Sequence, residues 1–273
     1  MSDNSHPYTI QDIFFSCTEK KHLSKESIVP EHGISHIYSG DVTLIEENKR
    51  KTFRAGDTIF FRRNFLANTL KQPAIDAPFK SVSIFFTQSF LKNYYAAHPV
   101  KESPLKSMEG YSLDTARVWK NTLFDSFFNS LSLYNDFSGP LSDDLIQIKV
   151  AEAITIVRSI DPGIDVILSE FSEPGKIDLE DFMHKNYYYN VPIERLSYLT
   201  GRSVATFKRD FKKLFHLPPQ KWLIQKRLRQ AHFLISEQKQ KPSEVYIQVG
   251  FESLSHFSVA FKQQFGYNPS TLG

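Results

Sequence analysis

At 273 residues, 41% of them hydrophobic and 23% charged, the chain has ordinary globular composition and more length than one compact domain usually takes, so two domains are expected. The polar start, Met1 to Gln11, has no basic residues followed by an apolar run, and no stretch approaches 18 uninterrupted apolar residues; neither a secretory signal nor a membrane helix is expected. A single cysteine, Cys17, excludes an internal disulfide and a thiolate zinc site, and fits a reducing cytoplasm. The net charge of +3 is unevenly placed. Residues 1–175 carry 18 Lys+Arg against 22 Asp+Glu, whereas residues 176–273 carry 15 against 8, or +7, and only the second part suits a polyanion.

In chain order, short β-branched and aromatic runs come first. Ile34 to Tyr38 is stopped by Ser39-Gly40-Asp41, Val42 to Glu46 by Glu47-Asn48, Lys51 to Arg54 by Gly56-Asp57, and Thr58 to Arg62 by Asn64. Ser81 to Phe86 adds a strand with alternating Val82, Ile84 and Phe86. Strands at this spacing predict a small β-barrel or sandwich. Its interior would be the place for a small effector, with Tyr38, Phe60, Arg62 and Phe85 as candidates by strand position; core packing is the competing role for the same residues. His32 and His36 lie four apart on one side of a strand with no third ligand, so no metal and no cofactor are expected.

The period then becomes helical. Ala116, Trp119, Leu123, Phe127 and Leu131 recur at steps of three or four, and a second helix is predicted from Ser142 to Ile160 with Ile146, Val150, Ile154 and Val157 on its apolar face. The helices would either cover the barrel or, through Trp119, Leu123, Phe127 and Leu131, build a homodimer interface. Residues 172–176, beginning Ser172-Glu173-Pro174-Gly175, have linker composition.

The basic third contains an internal repeat at an offset of 50 residues. Eight pairs are identical: Pro192/Pro242, Glu194/Glu244, Ser203/Ser253, Phe207/Phe257, Phe211/Phe261, Lys212/Lys262, Phe215/Phe265 and Pro219/Pro269. Each copy reads as two helices joined by a turn containing Gly201 or Gly250, with Ser203 or Ser253 capping the second helix. A Phe stripe at four-residue steps marks that helix's buried face. Opposite it, the first copy presents Ala205, Thr206, Lys208, Arg209, Lys212 and Lys213, and the second presents Ser255, His256, Ser258, Val259, Lys262 and Gln263. A helix fits the major groove of DNA, where a bidentate Arg contact to guanine is worth about 1 to 3 kcal/mol of discrimination, and Arg209 is the leading candidate. The candidate DNA contacts are therefore Ser203, Ala205, Thr206, Lys208, Arg209, Lys212 and Lys213 in the first copy and Ser253, Ser255, His256, Ser258 and Lys262 in the second. The segment from Pro219 to Ser236 would make a helix of about 27 Å at 1.5 Å per residue, against roughly 34 Å between successive major-groove faces.

Val249-Gly250-Phe251-Glu252-Ser253, Phe257, Phe261-Lys262, Phe265-Gly266 and Pro269, together with Ser203, Phe207, Phe211-Lys212-Lys213 and Phe215, resemble the signature of the AraC/XylS family of bacterial transcription regulators. His216 departs from it, since the first repeat of that family often has Gly there. The resemblance implies a seven-helix DNA-binding domain, binding to double-stranded promoter DNA, activation through contact with RNA polymerase, and an amino-terminal cupin-like β-barrel that takes a small-molecule effector or mediates dimerisation; a regulator protein can replace the effector. The chain thus reads as α+β and multidomain: residues 1–171 a cupin-like β-barrel with covering helices, 172–176 a linker, and 177–273 an all-α domain with tandem helix-turn-helix units at 192–215 and 242–265. The alternative is a cupin-type sensor or enzyme with an incidental basic tail. Neither a GxxxxGK phosphate loop nor a GxSxG nucleophile turn occurs, so no catalysis is expected.

Overall fold

The computed structural model describes residues 9–10, 12–24, 28–46, 49–100, 117–135 and 141–272. The amino-terminal half is built from strands β1 (Thr9–Ile10), β2 (Ile13–Thr18), β3 (His22–Leu23), β4 (Ile28–Val29), β5 (His32–Ser39), β6 (Asp41–Glu46), β7 (Lys49–Arg54), β8 (Thr58–Phe61), β9 (Phe65–Leu66), β10 (Asn68–Gln72) and β11 (Phe79–Phe86). Helix α1 (Gln88–Ala97) follows, then strand β12 (Arg117–Trp119) and helices α2 (Thr122–Asn135), α3 (Asp143–Ile160) and α4 (Asp165–Leu168). The carboxy-terminal third is helical: α5 (Leu179–Asn186), α6 (Ile193–Leu199), α7 (Val204–Phe215), α8 (Pro219–Ser236), α9 (Pro242–Gln248) and α10 (Leu254–Phe265). It closes on a 3-10 turn at Pro269–Thr271, so among the described residues the third has six α-helices rather than seven.

The strands form three separate sheets, in the orders β1-β2-β11-β5-β8-β12, β3-β10-β6-β7 and β4-β9. The expected closed barrel is therefore replaced by open sheets. All five predicted strand runs are strands, and Val82, Ile84 and Phe86 do point together into the core. That core, with Ile13, Ile34 and Phe60, is completed by Leu91, Phe124, Phe128, Ile146, Val150 and Val157 from α1, α2 and α3. Helices thus cover one face of the six-stranded sheet, and the apolar stripe read for residues 142–160 supplies part of that cover. Ser142 starts α3 by accepting the Leu145 amide, and Asp143 and Asp144 suit the positive end of the helix.

One predicted helix begins later than its periodicity suggests. Arg117, Val118 and Trp119 pair antiparallel with Phe60, Ile59 and Thr58, and Asn121 accepts the Leu123 amide at 2.9 Å to start α2 beyond them. Two of these three strand residues, β-branched Val118 and aromatic Trp119, suit a sheet, and an unpaired edge of β8 is available to them. Ala116 and the Glu47-Asn48 turn lie outside the described residues.

The chain packs as two compact units. The first comprises Met1–His22, Val29–Phe65 and Thr69–Phe171, and the second comprises Leu23–Ile28, Leu66–Asn68 and Ser172–Gly273. Within the second, two distinct apolar clusters form. One gathers Leu179, Met183, Leu196, Phe207, Phe211 and Leu223, and the other Leu228, Ala231, Ile235, Val245, Phe257 and Phe261. Each copy of the repeat therefore has its own core, and α8 contributes to both. Among the described residues no helix is long and apolar enough to cross a membrane.

Candidate nucleic-acid interface

The repeat folds as two helix-turn-helix pairs, α6–α7 and α9–α10. Ser203 accepts the Thr206 amide at 3.3 Å and Ser253 accepts the His256 amide at 3.2 Å, so each recognition helix starts on the same capping bond. Both helices are 12 residues long and stand 50 residues apart, but the turns differ. Residues 200–203 separate α6 from α7 and residues 249–253 separate α9 from α10, one residue more in the second copy. Gly201 (φ +64°) and Gly250 (φ +90°) both sit in the left-handed region, and a Cβ on either would lie 2.4 Å from backbone atoms of Gly175 or Tyr188.

With Phe207, Phe211, Phe257 and Phe261 fully buried, the opposite faces are open to solvent. On α7, Ala205, Lys208, Arg209, Lys212 and Lys213 are exposed and Thr206 is half-buried. On α10, Ser255, His256, Val259, Lys262 and Gln263 are exposed and Ser258 is half-buried. Each predicted face is therefore one continuous surface of one helix, the first carrying four cations and the second one. Ser203 and Ser253 are exposed at the amino ends of these faces, with their hydroxyls engaged as caps.

Two charged groups of this unit, one on the α7 face and one buried, are not among the residues expected from the sequence. Asp210 bridges Arg202 and Arg209: Arg202 Nε donates to Oδ2 at 3.3 Å, and Arg209 Nη2 to Oδ1 at 3.3 Å. Burial would raise the Asp210 carboxyl, but the two guanidinium groups hold it below the usual carboxylate range. Arg202 itself is anchored by the carbonyls of Ile177 and Thr200. The second feature is Arg227 in α8, whose side chain enters the interior of the unit and binds three backbone carbonyls. Its position was legible: Leu223, Arg227 and Ala231 are four apart, and the flanking two belong to the buried face.

In the first unit the four effector candidates do not converge. Tyr38 donates its hydroxyl to the Phe128 carbonyl at 2.6 Å, and burial raises its pKa. Phe60 is core, against His32 and Trp119. Arg62 is half-buried, while Phe85 stands on the opposite face of β11 from Val82, Ile84 and Phe86, paired across to Gly33. A pocket of about 360 Å³ is lined instead by Asp12, Thr87, Ser89, Phe90, Asn93, Tyr94 and Gln147. Of the dimer candidates, Phe127 and Leu131 fill the unit's own core, Trp119 is half-buried in β12, and Leu123 alone of the four is exposed. His32 and His36 are both buried; Nδ1 of His32 accepts the Arg63 amide at 3.1 Å, and Nδ1 of His36 meets the Thr58 hydroxyl at 2.9 Å.

Residues 196–273 match the family model described as a helix-turn-helix domain, and residues 32–160 match the one described as the ExsA N-terminal regulatory domain. The chain is similar to the virulence regulon transcriptional activator VirF of Yersinia enterocolitica, at 26% identity over 46% of this chain and 47% of the relative. It is also similar to the HTH-type transcriptional regulator ExsA of Pseudomonas aeruginosa, at 27% identity over 40% of this chain and 39% of that one. The chain thus spans about half the length, or less, of these curated relatives. The apo form of a ToxT variant from Vibrio cholerae strain SCE256 aligns over 96% of both chains at 14% identity with a TM-score of 0.46.

Proposed function

We propose that this chain, which belongs to the AraC/XylS family of transcription regulators, binds double-stranded promoter DNA sequence-specifically and activates transcription there under control of its amino-terminal domain. The observation that carries this is the pair of separately cored helix-turn-helix units, each presenting an open face whose opposite side is a buried Phe pair. Arg209 reads a base edge from α7, Lys208, Lys212 and Lys213 neutralise phosphates, and the Ser/His face of α10 contributes a weaker second contact. Activation proceeds by contact with RNA polymerase. A small effector or a partner protein acts on the first unit, and a second copy, if one is recruited, meets the exposed Leu123 end of α2 rather than Phe127 and Leu131.

Fluorescence anisotropy of the full chain on duplexes enriched from a random pool tests the reading. Specific binding at least about a thousandfold tighter than to random duplex supports it. Equal affinity for both contradicts it.

A further inference from the structure

We propose that Arg227 is a positioning residue that locks the two recognition helices into one fixed setting, so that DNA is engaged by both or by neither at full strength. The inference rests on the DNA-binding reading for its consequence, though not for its geometry.

Arg227 lies midway along the 18-residue α8, between Leu223 of the first cluster and Leu228 of the second. It is only 9% exposed. Nε donates to the Tyr187 carbonyl at 2.7 Å, Nη2 to the Tyr189 carbonyl at 2.7 Å, and Nη1 to the Gly250 carbonyl at 2.8 Å. Tyr187 closes α5, and Gly250 follows the end of α9, so the guanidinium sits just past the carboxy ends of two helices, on carbonyls that lie outside both helical spans. Positive charge is favoured at such ends.

The three carbonyls come from the lead into the first copy and from the turn of the second. Tyr187 and Tyr189 belong to the segment leading into α6 and α7, while Gly250 lies three residues before the Ser253 cap of α10. A planar fork of donors in fixed directions sets the distance and angle between these segments, which a flexible ammonium would not do. A second link runs parallel to it: Asn190 Nδ2 donates to Glu252 Oε1 at 2.9 Å. Burial lowers the Arg227 pKa to about 10, with the Glu252 carboxylate opposing, so the fork stays charged at neutral pH. Gly250 is fitted to the same contact, because a Cβ there would lie 3.0 Å from the guanidinium carbon.

Without the fork, the copies would keep only the continuity of α8 and the exposed Asn190–Glu252 bond, and the second contact would lose its preset distance. Two contacts on a rigid arm gain affinity that a loose arm forfeits. The test uses the full chain with Cys17→Ser and spin labels at Leu214→Cys and Gln264→Cys, exposed equivalent positions in the two copies and outside the proposed DNA contacts. Electron–electron distance measurements should give a narrow distribution with Arg227 present and one about twice as broad in Arg227→Met. On duplexes carrying both half-sites, inserting five base pairs between them should cost the parent chain roughly a hundredfold in affinity and cost Arg227→Met less than about threefold. If Arg227→Met loses helix content, Arg227→Lys, which keeps the stem and charge but not the fork, is read the same way. An unbroadened distribution in a folded variant overturns the proposal. Failure of every form to bind duplex specifically would instead overturn the regulator reading, since the label distances need no DNA.

Discussion

The guanidinium of Arg209, exposed on the outer face of α7, lies 3.3 Å from the Asp210 carboxylate, whose other oxygen is held by Arg202. The leading candidate for reading a base is therefore tied to its neighbour before DNA arrives. Asp210→Asn removes a negative charge from a cationic face and releases Arg209. Affinity for specific duplex should rise several-fold, and the logarithmic salt dependence should steepen by up to about one unit. A salt titration by anisotropy checks this. An unchanged slope and affinity would mean the pairing does not restrain Arg209.

Base reading and phosphate binding separate by mutation. Arg209→Ala should weaken binding to the preferred duplex by about 1 to 3 kcal/mol and flatten the base preference at one position. Lys213→Ala should weaken all duplexes alike and reduce the salt slope by about one. Competition against duplexes varied one base pair at a time distinguishes the two. Retained preference in Arg209→Ala would remove it from the base-reading role.

The two recognition helices end alike in geometry and differently in chemistry. His216 (φ +58°) and Gly266 (φ +86°) both adopt the left-handed cap and both donate to the Lys262 or Lys212 carbonyl of their own helix. A side chain there costs roughly 1 kcal/mol. His216→Gly should stabilise the chain by up to about that amount, and Gly266→Ala, with open space around the added carbon, should destabilise it by about as much through backbone strain alone. Thermal and urea unfolding measure both. Shifts of the same sign would contradict the account.

Acid should act on the first unit through His32. Burial, reinforced by the charges of Arg63 and Arg62, lowers its pKa to about 3. The unfolded chain takes up a proton near pH 6.5, the folded one only near 3, so stability falls as pH drops through this window and is full above it. The loss amounts to on the order of 5 kcal/mol at the acid end. His32→Phe, which keeps a ring against Phe60, should flatten the pH dependence of urea unfolding between pH 6 and 4; an unaltered slope would assign it to other groups.

Where one physical signal dominated, the sequence was readable. The Phe stripes at four-residue steps give α7 and α10, and Ser203 and Ser253 their starts, because each helix buries one face and exposes the other. The strands with turn residues at both ends were equally plain. Four features were not. In β2, Ile13, Phe15 and Ser16 are all buried, which removes the clean alternation that marks a strand. Trp119 fits a helical period by spacing, but its strand pairing with Thr58 depends on a partner about sixty residues away. Sheet closure depends on which strands meet, and no local pattern encodes that β1 and β12 remain edges. Arg227 was visible only as a charge on an apolar face; its three carbonyl partners come from loops that fold must first bring together.

Two unequal recognition helices on one chain should read one duplex from the same side. Selection of binding sites from random duplex DNA by the full chain, followed by hydroxyl-radical footprinting, decides whether they do. The expected result is an enriched site with one strongly and one weakly specified half, centred about 10 base pairs apart, and protection confined to one face of the duplex. No enriched sequence, or a single half-site with protection covering one helical turn only, would contradict it.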